Sequence, residues 1–104
     1  MAAADALQVL AEPNRRRILE LLRTGERGVG ELVANLELTQ PAVSKHLKVL
    51  RQAGLVEARA VAQRHLYRVR TEPLVELDAW LEPYRAMWTD RLDRLERHLS
   101  TKED

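Results

Sequence analysis

The chain has 104 residues and a formal net charge of only +1 at pH 7, with 45% hydrophobic and 32% charged residues. This length suits a single domain with its own core, although much of the surface of so small a domain stays in contact with water. The absence of cysteine excludes disulfides, thiolate metal sites and cysteine nucleophiles. No N-terminal basic region precedes an apolar run, and no stretch approaches about 18 apolar residues, so we expect a cytoplasmic protein that makes no membrane contact.

The near-neutral total hides an uneven distribution of charge. Residues 1–70 carry twelve Lys and Arg against seven Asp and Glu, whereas residues 71–104 carry five against nine. Residues 40–70 contain seven basic residues and one acidic residue, Glu57. A surface that binds a polyanion is therefore predicted in the middle of the chain, and the last third should lie away from it.

Apolar periodicity predicts three short helices before residue 37. The first covers residues 4–11, the second begins near Pro13 and ends before Gly25, and the third follows Gly30. The second helix carries three arginines at residues 15–17, which either contact phosphates or lie on a solvated face. The solvated face is favoured because consecutive residues of a helix point in different directions.

A fourth helix is predicted after a connection of about three residues. Thr39 can cap its first turn through the side-chain hydroxyl, and Gly54 is placed to end it. Val43, Leu47 and Leu50 recur at helical spacing and form a face toward the core, whereas the opposite face is basic and has no carboxylate. This arrangement predicts a helix-turn-helix that places its second helix in the major groove of DNA.

After Gly54 the pattern changes to the alternation typical of strands. Residues 55–60 and 64–70 predict an antiparallel hairpin with its tip at residues 61–63 and with Leu66 and Val69 facing inward. A helix-turn-helix followed by a basic hairpin is a winged helix, and the wing would lie beside the DNA backbone. The predicted fold is therefore mainly α with a small β-hairpin.

Residues 72–100 predict one long helix with apolar residues spaced by threes and fours, as in a coiled-coil seam. At about 1.5 Å per residue, this helix is longer than the rest of the domain is wide, so part of the seam has no partner within the chain. We therefore predict a homodimer, with a winged helix-turn-helix in residues 1–71 and a dimerisation helix in residues 72–104. The predicted dimer interface consists of Leu7, Leu74, Leu77, Leu81, Tyr84, Trp88, Leu92, Leu95 and Leu99.

Pro83 and both tryptophans of the chain lie in this last helix. A proline removes a backbone hydrogen bond, so the helix is expected to bend or split at Pro83. Trp80 and Trp88 either anchor the dimer core or line a ligand site. The first interpretation is favoured because aromatic side chains dominate the energetics of cores and interfaces.

These features resemble the ArsR-like winged helix-turn-helix repressors, and the resemblance covers almost the whole chain. It is strongest at residues 10–19 (LAEPNRRRIL), 40–50 (QPAVSKHLKVL) and 53–56 (AGLV). Residues 80–88 resemble the final helix of a cysteine-free branch of that family. The resemblance implies a homodimeric repressor that pairs through its terminal helices and reads an inverted repeat.

The chain departs from the metal-sensing members of that family. Where they have a cysteine pair, the matching positions hold Val33 and Asn35, and neither is a thiolate ligand. On the last helix, His98 with Glu96 or Asp78 is only a weak counterpart of their second metal site. We therefore predict no metal and no other cofactor. Whether an effector ligand exists between the terminal helices, or whether the protein acts without one, stays open.

The predicted function is sequence-specific binding of double-stranded DNA by residues 39–53 and a wing at residues 61–64. The residues assigned to DNA are Gln40, Pro41, Ser44, Lys45, Lys48, Arg51, Gln63, Arg64 and Arg68. Gln40 and Lys48 are the best candidates for reading base edges, whereas the arginines would bind phosphates. The alternative is a winged-helix dimer that binds proteins, which the one-sided basic stretch disfavours. No catalytic set of residues is visible, so an enzyme is not expected.

Overall fold

The helices and the hairpin form where the apolar periodicity predicted them. The computed structural model describes residues 2–102, with side chains from residue 5 to residue 100. The helices are α1 (Ala2–Leu10), α2 (Pro13–Leu22), α3 (Val29–Leu36), α4 (Gln40–Gln52) and α5 (Glu72–Lys102). The strands are β1 (Arg27–Gly28), β2 (Val56–Val61) and β3 (Arg64–Val69).

One apolar core joins α2, α3, α4 and the start of β2. Its buried members are Ile18, Leu22, Leu32, Leu36, Val43, Leu47, Leu50, Leu55 and Val56. Each helix contributes residues three or four positions apart, because only that spacing keeps side chains on one helical face. No polar or charged side chain is buried among residues 5–100. The rotation of α4 about its axis is therefore set mainly by apolar packing.

The connection between α3 and α4 is short because both of its ends are capped locally. At its start, Glu37 adopts a left-handed conformation with φ of 56°, and its N–H donates to the Val33 carbonyl. At its end, the Ala42 N–H donates to Thr39 Oγ1 at 3.2 Å, as the sequence predicted. Residues 37–39 thus turn the chain between two helices that pack on each other, which is the predicted helix-turn-helix.

The C-terminus of α4 ends in a Schellman motif around Gly54. Gly54 has φ of 75° and donates its N–H to the Arg51 carbonyl at 3.0 Å, and the Leu55 N–H donates to the Leu50 carbonyl at 2.9 Å. Leu50 and Leu55 are both fully buried, so the motif also carries the apolar contact that usually accompanies it. The chain therefore leaves α4 in a defined direction and enters β2.

The sheet has three antiparallel strands in the order β1-β3-β2, one strand more than the predicted hairpin. The extra strand, β1, is a two-residue segment that the sequence suggested only as a short bridge. Val61 pairs with Arg64, so the hairpin tip is Ala62 and Gln63 rather than residues 61–63. Ala62 adopts the left-handed conformation that this tight turn needs.

The expectation that Leu66 faces the core was wrong. The residues of β3 that pack against the core are Tyr67 and Val69, two positions apart. Alternate residues of a strand point to opposite faces of the sheet, so Leu66 shares the other face with Arg64 and Arg68.

The last helix, α5, runs without a break from Glu72 to Lys102 and continues through Pro83. At about 1.5 Å per residue its 31 residues span about 46 Å, which explains the elongated shape of 68 × 29 × 21 Å. Its N-terminal part packs against α1 and, through Leu74, against the core. Every described side chain from residue 82 to residue 100 is exposed. No helix within residues 2–102 is both long and apolar enough to cross a membrane.

Two glycines provide a test of the turn after α4. In Gly54→Ala the new side chain meets no close contact, but the positive φ is unfavourable for an L-residue by about 1–2 kcal/mol. We expect the melting temperature to fall by about 5–10 °C in thermal denaturation followed by circular dichroism.

Gly30→Ala is the matched control, because Gly30 lies in α3 with open space around it. Alanine favours the helix there, so the control should melt at the wild-type temperature or above. Equal losses in both variants would contradict the role given to Gly54.

Candidate nucleic-acid interface

The outer face of α4 presents a set of polar and basic side chains to solvent. Val43, Leu47 and Leu50 are buried against the core, so the residues that lie about half a turn away must point outward. The predicted DNA-binding residues of this helix are all exposed: Gln40, Pro41, Ser44, Lys45, Lys48 and Arg51. The structure therefore brings these six onto one accessible helix.

The cations of α4 have no ion-pair partner in the described part of the chain. Among the residues that the structure describes, Lys45, Lys48 and Arg51 form no ion pair and no side-chain hydrogen bond. The helix itself contains no acidic residue. Three positive charges thus face solvent without a neutralising partner, which is the electrostatic arrangement expected of a phosphate-binding surface.

The wing is different, because its arginines are paired. Arg64 Nη2 donates to Glu31 Oε1 at 3.1 Å, and Arg68 donates to Glu57 across the β2–β3 ladder. Both arginines are exposed, and Gln63 lies at the turn between the two strands. The structure thus places all three predicted wing residues on the hairpin, but it also gives the two cations carboxylate partners within the chain.

Two acidic residues that matter here were missed by sequence reasoning. Glu31 lies 33 residues before Arg64, on α3, so no local pattern connects them. Glu57 was noted only as the single acidic residue in residues 40–70; its register opposite Arg68 follows once the hairpin is aligned. The hydrogen bond from the Gly28 N–H, together with Arg64 and Arg27, lowers the pKa of Glu31, which is therefore ionised at neutral pH.

Two of the three arginines at residues 15–17, Arg16 and Arg17, are exposed to solvent as the sequence favoured, and Arg15 and Arg16 also bond to α1. Arg15 Nη1 donates to the Val9 carbonyl at 3.3 Å, and Arg16 Nη1 donates to the Leu10 carbonyl at 2.7 Å. These are carbonyls from the end of α1, which lack partners within that helix. Arg17 donates to Asn14 of its own helix. Arg15 and Arg16 thus hold α1 against α2.

His46 joins α4 to the start of α2. Its Nδ1 accepts a hydrogen bond from Arg15 Nε at 3.4 Å and lies 3.8 Å from Glu12 Oε2. The Glu12 carboxylate also accepts the Arg15 N–H and caps α2. His46 therefore links two helices of the domain. His65 and His98 are exposed, and no group of three metal-ligating side chains occurs in the described part of the chain.

The predicted dimer residues fall into two groups. The first group is 43–69% exposed and consists of Leu7, Tyr84, Trp88, Leu92, Leu95 and Leu99. Leu77 and Leu81 are partly buried, and Leu74 differs from the rest because it packs against the core of its own chain. Tyr84 stacks on Trp80 with ring centroids 5.0 Å apart. The apolar seam beyond residue 81 therefore has no intrachain cover among the described residues.

Comparison with known proteins identifies the family. The family model for bacterial regulatory proteins of the arsR family matches residues 12–58. The chain is 41% identical over 87 residues to the HTH-type transcriptional regulator Rv2034 of Mycobacterium tuberculosis, covering 84% of this chain and 78% of that protein. It is also 41% identical over 74 residues to the biofilm growth-associated repressor of Agrobacterium fabrum, covering 71% of this chain and 63% of that repressor. The transcriptional activator HlyU of Vibrio cholerae is 41% identical over 80 residues, with coverage of 77% of this chain and 71% of that activator.

Solved structures agree with the sequence relatives. A crystal structure described as "Possible transcriptional regulator for arsenical resistance" superposes with a TM-score of 0.71 at 42% identity. The match covers 88% of this chain and 92% of that chain. Together with the fold, these matches confirm the winged helix-turn-helix. The chain therefore belongs to the arsR family of bacterial regulatory proteins, and it is a DNA-binding transcriptional regulator rather than an enzyme.

Proposed function

We propose that this protein is a homodimeric repressor that binds an inverted-repeat operator through α4 and the wing. The observation that carries the proposal is the outer face of α4, where Lys45, Lys48 and Arg51 are exposed and unpaired within the described residues. A duplex is the natural partner of such a face, because neutralising phosphates with free cations releases counterions and makes binding favourable.

Within this surface, different side chains are suited to different contacts. Gln40 lies at the N-terminal end of α4, the end that meets base edges in helix-turn-helix complexes, and its amide suits an adenine. Lys48 lies two turns further along and its amine suits a guanine or a phosphate. Ser44 and Lys45 lie between them, close enough to reach bases or backbone. Arg51 lies near the end of the helix and is best placed for a phosphate.

The second part of the proposal is that two copies pair through α5. Tyr84, Trp88, Leu92, Leu95 and Leu99 recur every three or four residues, so they lie along one stripe of the helix. The stripe is exposed, and leaving so many large apolar side chains in water is unfavourable. Pro83 lies on the opposite side of the helix at about 100° per residue, so it does not interrupt the stripe. A second copy offers an identical stripe and can cover it.

Pairing through α5 gives the proposal its symmetry. Residues 1–71 would act as the reading unit and residues 72–104 as the pairing unit, so a two-fold axis relates two α4 helices. Two recognition helices related in this way meet major-groove faces about one helical turn apart, which calls for an inverted repeat. Repression would follow when the dimer occupies DNA that the transcription machinery needs. The Agrobacterium relative is named as a repressor and the Vibrio relative as an activator, so the sign of regulation is a proposal for this chain.

Lys48→Ala tests the recognition face. Loss of one phosphate or base contact should weaken binding at least about five-fold and reduce the slope of log affinity against log salt by about 0.9 per protomer. The measurement is fluorescence anisotropy with a selected duplex at several salt concentrations. Arg23→Ala removes the same charge from the end of α2, beside Leu74, and should leave both quantities near wild type.

Unchanged affinity and slope in Lys48→Ala would contradict the assignment of α4. If the wild-type protein has little affinity for duplex DNA even at low salt, the protein-interaction alternative is favoured and the repressor proposal fails.

Leu92→Asp tests the pairing stripe. A carboxylate placed in an apolar interface is strongly unfavourable, so the variant should sediment as a monomer in analytical ultracentrifugation. Because Leu92 is exposed in the single chain, circular dichroism should still show a helical protein. Ala86→Asp introduces the same charge on the opposite side of α5 and should remain dimeric. A dimer that persists in Leu92→Asp, or equal dissociation of both variants, would refute pairing through this stripe.

A further inference from the structure

The two parts of the proposed DNA surface differ in how their charges are balanced. Within the part of the chain that the structure describes, the cations of α4 are unpaired, whereas each arginine of the hairpin lies within hydrogen-bonding distance of a carboxylate. Arg59 donates to Glu26 at 2.8 Å, Arg64 to Glu31 at 3.1 Å, and Arg68 to Glu57. Two of these carboxylates, Glu26 and Glu31, come from outside the basic stretch of residues 40–70. The wing is therefore much less positive than its sequence suggests.

Glu31 has the most hydrogen-bonding and ion-pair partners of these three carboxylates. Its Oε1 accepts the Gly28 N–H at 3.3 Å and Arg64 Nη2 at 3.1 Å, and its Oε2 lies 3.6 Å from Arg27 Nη1. The bond from Gly28 belongs to the capping box that starts α3, so the carboxylate is fixed by the backbone. The Arg64 guanidinium also lies against Gly28, at 3.0 Å from where a Cβ would be. A carboxylate held by the backbone thus binds the flexible side chain of Arg64, which follows directly after the tip of the wing.

We propose that Glu31 competes with DNA phosphates for Arg64 and thereby limits the contribution of the wing to DNA affinity. An arginine can offer its donors to the carboxylate or to a phosphate, and both compete for the same charge-assisted bonds. Each phosphate contact from an arginine of the wing then begins with the breaking of an ion pair, whereas the cations of α4 bind without that cost. The effect shifts discrimination toward the base-reading helix, because phosphate contacts add affinity to every sequence equally. The inference rests on the proposed function, since it requires the wing to meet DNA.

Glu57 is a second carboxylate that binds an arginine of the wing, on the neighbouring strand β2. It accepts a hydrogen bond from Arg68 and lies 3.9 Å from Arg70 Nε. Glu57 lies in β2 and has no capping role, so its charge can be removed without affecting the start of α3. The Glu57–Arg68 pair is therefore an independent instance of the same competition.

The experiment is a double-mutant cycle between Glu31→Gln and Arg64→Gln, read by duplex affinity and its salt slope. Glutamine can still accept the Gly28 N–H, so the capping bond of α3 is kept. Glu31→Gln should tighten binding roughly two- to five-fold, the range expected for releasing one exposed ion pair. It should also steepen the salt slope by up to about 0.9 per protomer as Arg64 gains a phosphate. When Arg64→Gln is already present, Glu31→Gln should change affinity no more than a control variant that removes an unpaired carboxylate elsewhere.

Glu20→Gln is the control, because Glu20 is an exposed carboxylate of α2 with no ion pair in the described residues. This control measures the gain in DNA affinity that the loss of any negative charge produces through long-range electrostatics. If Glu31→Gln exceeds Glu20→Gln only when Arg64 is present, the competition is supported. Equal gains in both, or a gain that persists without Arg64, would overturn it.

The remaining outcomes separate a folding defect, a failure of the wing assignment and a failure of the competition alone. If Glu31→Gln lowers the melting temperature, Glu57→Gln with Arg68→Gln replaces it in the cycle, and absence of coupling there overturns the inference. If Arg64→Gln and Arg68→Gln both leave wild-type affinity unchanged, the wing assignment in the proposed function fails. If they weaken binding but neither carboxylate variant strengthens it, only the competition is wrong.

Discussion

The packing of α4 against the core is the constraint on which the rest of the molecule depends. Val43, Leu47 and Leu50 are fully buried, which sets the rotation of the helix about its axis. The cap from Thr39 and the turn at Gly54 set where it begins and ends. With rotation and length fixed, the side chains that meet solvent are also fixed. A change of one position in the apolar pattern would turn a different set of residues toward DNA.

Charge then distinguishes the surfaces that this packing exposes. The outer face of α4 has free cations, the wing has cations held by Glu31 and Glu57, and the stripe of α5 is apolar. Each surface is suited to a different kind of contact. The outer face of α4 suits the major groove of DNA, and the wing suits phosphates that replace the carboxylate partners of its arginines. The stripe of α5 suits a second copy of the chain. The acidic last third is expected to keep the proposed pairing unit away from the polyanion. Affinity, selectivity and symmetry can therefore be altered separately.

Features set by residues close together in the sequence could be predicted, whereas features set by residues far apart in the sequence could not. The faces of α4, its Thr39 cap and the Gly54 turn follow from residues within a few positions of each other, and all three were predicted. The pairing of Arg64 with Glu31 joins residues 33 positions apart, and the capping of α1 by Arg15 and Arg16 depends on how two helices dock. Neither leaves a periodic signal. On β3, Val69 faces the core as predicted but Leu66 does not, because residues two positions apart share a face and the second inward residue is Tyr67.

The proposed mode of DNA recognition depends most on two α4 helices being presented together by a two-fold dimer. Selection of bound sequences from random double-stranded DNA tests this most directly, because it reports sequence preference and symmetry in one measurement. A two-fold dimer should enrich an inverted repeat whose half-sites are centred about 10 bp, or a multiple of it, apart. Enrichment of a single half-site without symmetry would contradict the dimer, and absence of any enriched sequence would contradict recognition by α4.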